Sequence, residues 1–132
     1  MPTFRKHEHL LTPAEFQRVY DRRRSASDAG IILYARENAL PHSRIGLSVS
    51  RKYGGAVQRN RIKRLYREAF RLEKERLPVG LDFILIPRTQ QEPAIDELRK
   101  SLVKLAKQVH KKMLRDAEEK PSLDPTPQAT GG

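Results

Sequence analysis

The thirteen residues 59–71 carry six Arg or Lys side chains and a single acid. Guanidinium groups bind phosphate oxygens through paired hydrogen bonds, so a dense row of them suits a nucleic-acid backbone. At about 100° per residue, the run separates into two sides of a helix. The apolar side comprises Ile62, Leu65, Tyr66, Ala69 and Leu72. The polar side comprises Asn60, Arg61, Lys63, Arg64, Arg67 and Arg71.

An ordinary solvated helix face is the alternative explanation for this charge run. Solvated faces usually mix signs, with Glu placed four residues before Lys or Arg. Glu68 is the one acid in residues 59–71. The run therefore favours a helix that buries one face and binds a nucleic acid with the other.

Three aromatic residues form a second candidate surface. Phe16 and Tyr20 are four residues apart in a predicted helix, and Tyr34 lies in a predicted strand. Rings at helical spacing are commonly part of a core, but rings beside basic groups also stack the bases of single-stranded nucleic acid. The pattern alone leaves both explanations open.

The composition limits the possible partners. A chain of 132 residues with a net charge of +11 and a pI near 10.3 is one domain suited to a polyanion. No apolar run approaches the roughly 20 residues that span a bilayer, so a membrane partner is not expected. The polar residues 1–11 lack the apolar segment of a signal peptide, and a cytoplasmic location is expected.

No catalytic residue, metal site or bound cofactor is predicted for the protein alone. Cysteine is absent and the four histidines are scattered, which disfavours a nucleophile or a structural metal site. The remaining candidates for acid–base chemistry are interpreted as helix caps or surface charges: Glu15, Asp21, Asp82, Glu92 and Asp96.

The first helix is predicted from a capping pattern. Thr12 suits the N-cap, Pro13 the first helical position and Glu15 the third, which completes a capping box. Leu11 and Phe16 occupy the positions of a hydrophobic staple. The helix is expected to run to about residue 22.

Two strands are predicted, over residues 31–36 and 44–51. Alternate side chains of each strand should point to opposite faces of one sheet. Residues 25–30 are predicted as a loop with room for a short edge strand. The core face is expected to carry Ile31, Leu33, Ala35, Ile45, Leu47 and Val49. The other face would carry Ile32 and Tyr34 beside Gly46, Ser48 and Ser50, leaving a hollow that the first helix covers or that stays open as a cleft.

The remaining elements complete an α, β, β, α, β, α order. The basic helix is predicted over residues 56–75, a strand over 81–86, and a last helix after Pro93 with an apolar face that reaches Met113. General connection rules favour a right-handed crossover if the strands on either side of the basic helix are parallel. Residues 1–115 form the predicted domain, and the acidic, Pro-rich residues 116–132 are predicted to be a disordered tail.

Residues 46–70, GLSVSRKYGGAVQRNRIKRLYREAF, resemble the signature of the bacterial ribonuclease P protein family. The resemblance extends over about residues 10–114. It implies an α/β (α+β) sandwich with a small mixed sheet and helices. It also implies that the central βαβ crossover is left-handed, against the general rule.

The same resemblance implies a function. Members of this family are the protein subunit of a ribonucleoprotein endoribonuclease that cleaves the 5′ leader from precursor tRNA. Catalysis is carried by the RNA subunit with bound Mg²⁺, and the protein binds that RNA and the single-stranded leader. No DNA partner is expected.

By this resemblance, the functional positions of the family correspond to two sets of residues in this chain. The set that would contact the catalytic RNA is Arg59, Asn60, Arg61, Lys63, Arg64, Arg67 and Arg71. The set that would line the leader cleft is Phe16, Tyr20, Tyr34, Ser48, Ser50, Arg51 and Lys52. The segment His7-Glu8-His9 departs from the Arg/Lys-rich family pattern, which puts RNA contacts of that region in doubt.

Two other functions explain the charge. A ribosomal or RNA-chaperone protein without an enzymatic assembly needs the same basic helix but gives no reason for an aromatic-lined hollow. A DNA-binding helix module fits poorly, because no second helix precedes the basic one across a short turn.

Overall fold

The computed structural model describes residues 8–9 and 12–119. They form three helices and four strands, in an order that confirms the predicted sequence of elements and the predicted edge strand. The elements are α1 (Pro13–Arg22), β1 (Ser25–Ser27), β2 (Ile31–Glu37), β3 (Arg44–Leu47), α2 (Ala56–Glu73), β4 (Leu81–Pro87) and α3 (Ile95–Glu119). Short 3-10 helices occupy Arg51–Tyr53 and Lys74–Arg76.

The four strands form one mixed sheet in the order β1-β2-β4-β3. β2 is antiparallel to β1 and to β4, whereas β3 and β4 are parallel neighbours. The mixed α/β sandwich is therefore confirmed, and α2 connects two adjacent parallel strands. The hand of that crossover stays a prediction.

α1 begins as its capping pattern predicts. The backbone N–H of Glu15 donates to Thr12 Oγ1 at 3.1 Å, and the backbone N–H of Thr12 donates to Glu15 Oε1 at 3.0 Å. Pro13 lacks an N–H where a helix needs none. The helix ends at Arg22, and its C-cap Arg23 has a left-handed backbone with φ of 58°. Leu11, the other member of the predicted staple, lies outside the described residues.

The main core lies between one face of the sheet and the helices α2 and α3. Ile31, Leu33 and Ala35 of β2 join Ile45 of β3 there, as predicted. Leu47 and Val49 also pack against this core but stay partly exposed.

The buried side of α2 differs from the prediction at two residues. Phe70 is 1% exposed and belongs to the core, although the predicted apolar face left it out. Leu72 was assigned to that face but is only half-buried. Burial of a Phe side chain contributes roughly 1.5–3 kcal/mol to stability, so Phe70 contributes substantially to the packing of α2 against the core.

The opposite face of the sheet is covered in part by α1. Val19 and Ile84 are fully buried there, with Phe16, Tyr20, Tyr34 and Ile86 packed around them. An apolar run such as 83–86 in β4 is typical of a strand that is covered on both faces. The hollow expected beside β2 therefore lies under and beside α1.

The strand predicted over 44–51 ends early, at Leu47. The backbone N–H of Ser48 still donates to the carbonyl oxygen of Leu85 at 3.0 Å. In a parallel ladder the next bond would come from the N–H of residue 87, and Pro87 has none. Pairing stops for that reason, and Ser50, Arg51 and Lys52 are not part of a strand.

α3 continues four residues past the predicted domain boundary at 115. Asp116 accepts hydrogen bonds from Arg22 and Arg24, so this part of the predicted tail belongs to the folded domain. The predicted disorder of residues 120–132 concerns residues outside those described.

Candidate RNA interface

The seven predicted RNA-contacting residues of α2 lie together on one surface, which we call the α2 ridge: Arg59, Asn60, Arg61, Lys63, Arg64, Arg67 and Arg71. None of them is buried, whereas Ile62, Tyr66 and Ala69 of the same helix are at most 1% exposed. The helix thus separates its apolar and cationic residues as its periodicity predicts.

Hydrogen-bond or ion-pair partners lie at both ends of the α2 ridge. Arg59 Nη1 donates to the carbonyl oxygen of Gly54 at 2.9 Å. Arg61 Nη2 lies 3.2 Å from Glu92 Oε2 in an exposed ion pair. Arg71 Nε donates to Glu68 Oε1 at 2.9 Å, and this hydrogen bond raises the pKa of Arg71.

The centre of the α2 ridge has no such partners in the part of the chain that the structure describes. Lys63, Arg64 and Arg67 form no ion pair with any residue of the described segments. Arg64 and Arg67 border a shallow depression of about 380 Å³ over the half-buried Leu65. Several unpaired cations one helical turn apart suit the oxygens of successive phosphates.

The N-terminal residues 8 and 9 lie beside this ridge. His9 forms a parallel bridge with Ile45 of β3. Burial and the nearby Arg67 lower the pKa of His9, so its imidazole is mainly neutral at pH 7. Glu8 is buried, and Lys74 Nζ donates to both of its carboxylate oxygens at 3.1 and 3.0 Å. The acid that departs from the family pattern therefore has a structural role.

The three predicted aromatic residues are brought together on the face of the sheet that α1 covers. The rings of Tyr20 and Tyr34 meet edge to face, with centroids 5.2 Å apart and an interplanar angle of 81°. Phe16 and Ile86 pack against the same cluster. All of these side chains are partly exposed, so the cluster, which we call the aromatic cleft, keeps ring surface for a ligand.

β4 separates β2 from β3 and forms the floor of the aromatic cleft. Tyr34 pairs with Ile84, which pairs in turn with Gly46. The predicted proximity of Tyr34 to Gly46 is therefore wrong in detail, because Ile84 lies between them. Ile84 and Ile86 are cleft residues that were not predicted, and the uninterrupted apolar run of β4 is the signal that both faces of this strand are covered.

Gly46 provides the space that Phe16 occupies. A Cβ atom at position 46 would lie 2.5 Å from Phe16 Cζ and 3.0 Å from each Cε. Any side chain at position 46 would therefore displace the ring. The residue at position 46 thus determines where one wall of the aromatic cleft stands.

The polar residues predicted for the cleft are only partly placed there. Ser48 follows Gly46 at the edge of β4 and is half-buried. Ser50, Arg51 and Lys52 are exposed beyond the end of β3, and no described contact joins them to the aromatic cluster. They extend the surface past the end of the sheet without forming its wall.

An ion-pair network centred on Arg44 of β3 ties α1 to the sheet next to the aromatic cleft. Arg44 donates from Nε and Nη2 to the two oxygens of Asp82 at 2.8 and 2.7 Å, and from Nη1 to Glu15 Oε2 at 3.1 Å. Asn38 Nδ2 donates to Asp82 Oδ1 at 2.8 Å. Asp82 is 1% exposed, so its assignment as a cap or surface charge is wrong. The hydrogen bonds to Asp82 raise the pKa of Arg44.

Within residues 8–9 and 12–119, no group of three or more His, Asp or Glu is arranged to hold a metal ion. None of the helices in that part of the chain is long and apolar enough to cross a membrane.

A small basic α/β fold with a cationic helix on one side of its sheet and partly exposed aromatic rings on the other defines an RNA-binding class of protein. A family model described as Ribonuclease P matches residues 4–110. The chain belongs to the ribonuclease P protein family.

Individual relatives agree with this membership. The Ribonuclease P protein component of Clostridioides difficile (strain 630) is 36% identical over 106 residues, which cover 76% of this chain and 93% of the relative. The component from Haemophilus influenzae (strain PittGG) is 44% identical over 86 residues, covering 64% of this chain and 71% of the relative. The solved RNase P protein of Thermotoga maritima superposes with a TM-score of 0.71 at 31% identity, covering 77% of this chain and 97% of that one.

Proposed function

We propose that the chain is the protein component of a ribonuclease P ribonucleoprotein that removes the 5′ leader from precursor tRNA. Family membership supports this role. One observation carries the assignment of the two surfaces. The α2 ridge and the aromatic cleft lie on opposite faces of one sheet, so two RNA segments can bind at the same time. The ribosomal or RNA-chaperone alternative accounts for the α2 ridge but not for the aromatic cleft.

The α2 ridge is proposed to bind the catalytic RNA. Its central cations, Lys63, Arg64 and Arg67, have no carboxylate partner within the described segments that a phosphate would have to displace. Arg61 and Arg71 must exchange Glu92 and Glu68 for phosphate, so each should contribute less. The pre-formed helix spares the RNA complex the entropy of ordering that segment.

The aromatic cleft is proposed to bind the single-stranded leader. Stacking of one base on an aromatic side chain is worth about 1–3 kcal/mol and tolerates any base. Tyr34 is the best candidate, because Tyr20 supports its ring edge to face and leaves part of it exposed. Ser50, Arg51 and Lys52 would meet the leader backbone beyond the end of the sheet.

The contribution of the protein to the reaction is proposed to be binding and positioning. Contacts to a leader far from the cleaved bond can hold that bond in place for reaction at the RNA. Catalysis by the RNA subunit, Mg²⁺ held by that RNA and a cytoplasmic location are parts of the same proposal. No bond-breaking step is assigned to a side chain of this protein.

Reconstitution tests the proposal as a whole. The protein is mixed with the cognate catalytic RNA at low Mg²⁺, and cleavage of precursor tRNA is followed. We expect stimulation over the RNA alone. Verified binding of the RNA without stimulation would favour the ribosomal or chaperone alternative.

Two variants separate the surfaces. Tyr34→Ala should weaken precursor tRNA binding by the holoenzyme and leave mature tRNA binding nearly unchanged, whereas Tyr34→Phe should retain the wild-type preference. Arg64→Gln should weaken assembly with the catalytic RNA and reduce its salt dependence by about one unit of slope. Arg18→Gln, an exposed cation on α1, is the matched control. Equal losses for precursor and mature tRNA in Tyr34→Ala would refute the leader assignment.

A further inference from the structure

A second basic surface lies between the end of α2 and the first half of α3. It is a groove of about 540 Å³ bordered by five cations, and we call it the α3 groove. Its cations are Arg76, Arg99, Lys100, Lys104 and Lys107. The two acids at the groove are Glu73 and Asp96, so positive charge predominates.

A buried carboxylate fixes two of these cations. Glu73 is 4% exposed; its Oε1 accepts from Arg76 Nη1 at 2.8 Å, and its Oε2 accepts from Arg99 Nε. Burial opposes ionisation of Glu73, but the hydrogen bonds from Arg76 and Arg99 outweigh it and lower the pKa of Glu73. Those bonds use one donor of each guanidinium, and a guanidinium has five. The remaining donors stay available in a fixed orientation.

Three lysines continue the cationic surface along α3. Lys100, Lys104 and Lys107 are exposed and lie on one side of the helix, at rises of about 6 and 10 Å along its axis. Lys104 lies 3.6 Å from Asp28, whereas Lys100 and Lys107 form no ion pair with any residue in the described part of the chain. The row is long enough to contact more than one phosphate.

The composition of α3 argues against an ordinary solvated face. Residues 98–115 contain seven Lys or Arg and no acid, so acids four residues from a Lys or Arg occur only at the ends of this stretch, at Asp96, Asp116 and Glu119. Repulsion among these Lys and Arg side chains is expected on a surface where a bound polyanion supplies the missing negative charge.

The α3 groove is continuous with the α2 ridge. Both helices pack on the same face of the sheet, so their outer surfaces point the same way. The α3 groove and the α2 ridge meet near Glu68. The hydrogen bond from Arg71 lowers the pKa of Glu68, and Arg99 of the groove is close enough to lower it further. The aromatic cleft is on the other face.

We propose that the α3 groove binds backbone phosphates of the same catalytic RNA that the α2 ridge binds, and not the leader. The proposal rests on the proposed function. Charge complementarity and continuity with the ridge select the RNA subunit, because the leader would lie on the opposite side of the sheet.

Salt-dependent binding tests the proposal. The double variant Lys100→Gln/Lys107→Gln removes two unpaired cations at exposed positions, and Arg18→Gln/Arg23→Gln removes the same charge from the opposite side of the protein. Affinity for the catalytic RNA subunit, without precursor tRNA, is measured between 50 and 200 mM salt. Each lost phosphate contact lowers the slope of log affinity against log salt by about 0.9. Circular dichroism confirms that both variants are folded.

The expected result is a slope lower by about two units for the α3 variant and an unchanged slope for the control. Wild-type affinity would then fall about tenfold more than that of the α3 variant over this salt range. Equal slopes for the two double variants would overturn the proposal, as would a defect that appears only when precursor tRNA is present. Arg64→Gln separates the two assignments: if it lowers the slope and the α3 variant does not, the α3 groove alone is refuted. If neither does, the assignment of the α2 ridge fails too.

Discussion

Gly46→Ala should disable the aromatic cleft by displacing Phe16. The new Cβ would stand 2.5 Å from Phe16 Cζ, closer than carbon atoms approach without a shift. The ring must move rather than the sheet, since β3 is paired with β4 on both sides of Gly46 while the ring is the end of a partly exposed side chain. α1 itself should stay in place through the Glu15–Arg44 ion pair.

The magnitudes differ between stability and binding. Overpacking costs about 1–3 kcal/mol, and a ring that can rotate toward solvent should place Gly46→Ala at the lower end, near 1 kcal/mol. Loss of one stacked base costs about 1–3 kcal/mol of leader affinity, or about 5- to 150-fold. Binding of precursor tRNA should therefore fall more than stability does.

The assay compares precursor and mature tRNA binding to the reconstituted holoenzyme, with urea denaturation of the protein alone. In Gly46→Ala/Phe16→Leu the shorter side chain relieves the overlap, so stability should recover while leader affinity stays low. Phe16→Leu by itself completes the double-mutant cycle. Wild-type binding of precursor tRNA by Gly46→Ala would contradict this prediction, as would equal losses of affinity for precursor and mature tRNA.

Three further predictions concern stability. Asp82→Asn removes the charged, buried acceptor of Arg44 while Glu15 remains as a partner, and urea denaturation should show a loss of about 1–3 kcal/mol; an unchanged free energy of unfolding would contradict the role of the pair. Tyr66→Phe removes a buried hydroxyl without a hydrogen-bond partner among the described residues, so the free energy of unfolding should rise by up to about 1–3 kcal/mol; a decrease would mean that the hydroxyl is bonded in solution. Hydrogen bonds from Arg24 and Arg22 lower the pKa of Asp116, so its ionised form stabilises the fold above the ordinary aspartate pKa of about 4. This contribution is lost as pH falls from there through the folded-state value, and Asp116→Asn should flatten the decline of Tm in acid. Parallel Tm profiles would contradict it.

The sequence predicts an element well where neighbouring residues determine its ends. α1 is an example, because Thr12, Pro13 and Glu15 form its cap within one turn. The cationic side of α2 is another, since helical periodicity alone separates it from the core. The order of strands is not local, and the insertion of β4 between β2 and β3 had no signal in either β2 or β3.

The predictions that are wrong fail because of contacts between residues that are far apart in the sequence. β3 ends early because Pro87, forty residues after Leu47, has no N–H to donate. Asp82 resembles a surface acid until Arg44, thirty-eight residues away, is seen to bind it. Phe70 lies at the margin of the apolar stripe of α2, and only the packing of the sheet and α3 decides that it is buried.

On the proposed assignments, the placement of α1 opposite α2 and α3 would make the protein a spacer between two RNA segments. An RNA strand on α2 and a leader in the aromatic cleft would be held apart by one sheet and one layer of helix, about 20 Å. The chain would then hold an RNA and its substrate at a fixed separation. The thickness of the sandwich, in addition to the chemistry of its surfaces, would determine where along the substrate the RNA acts.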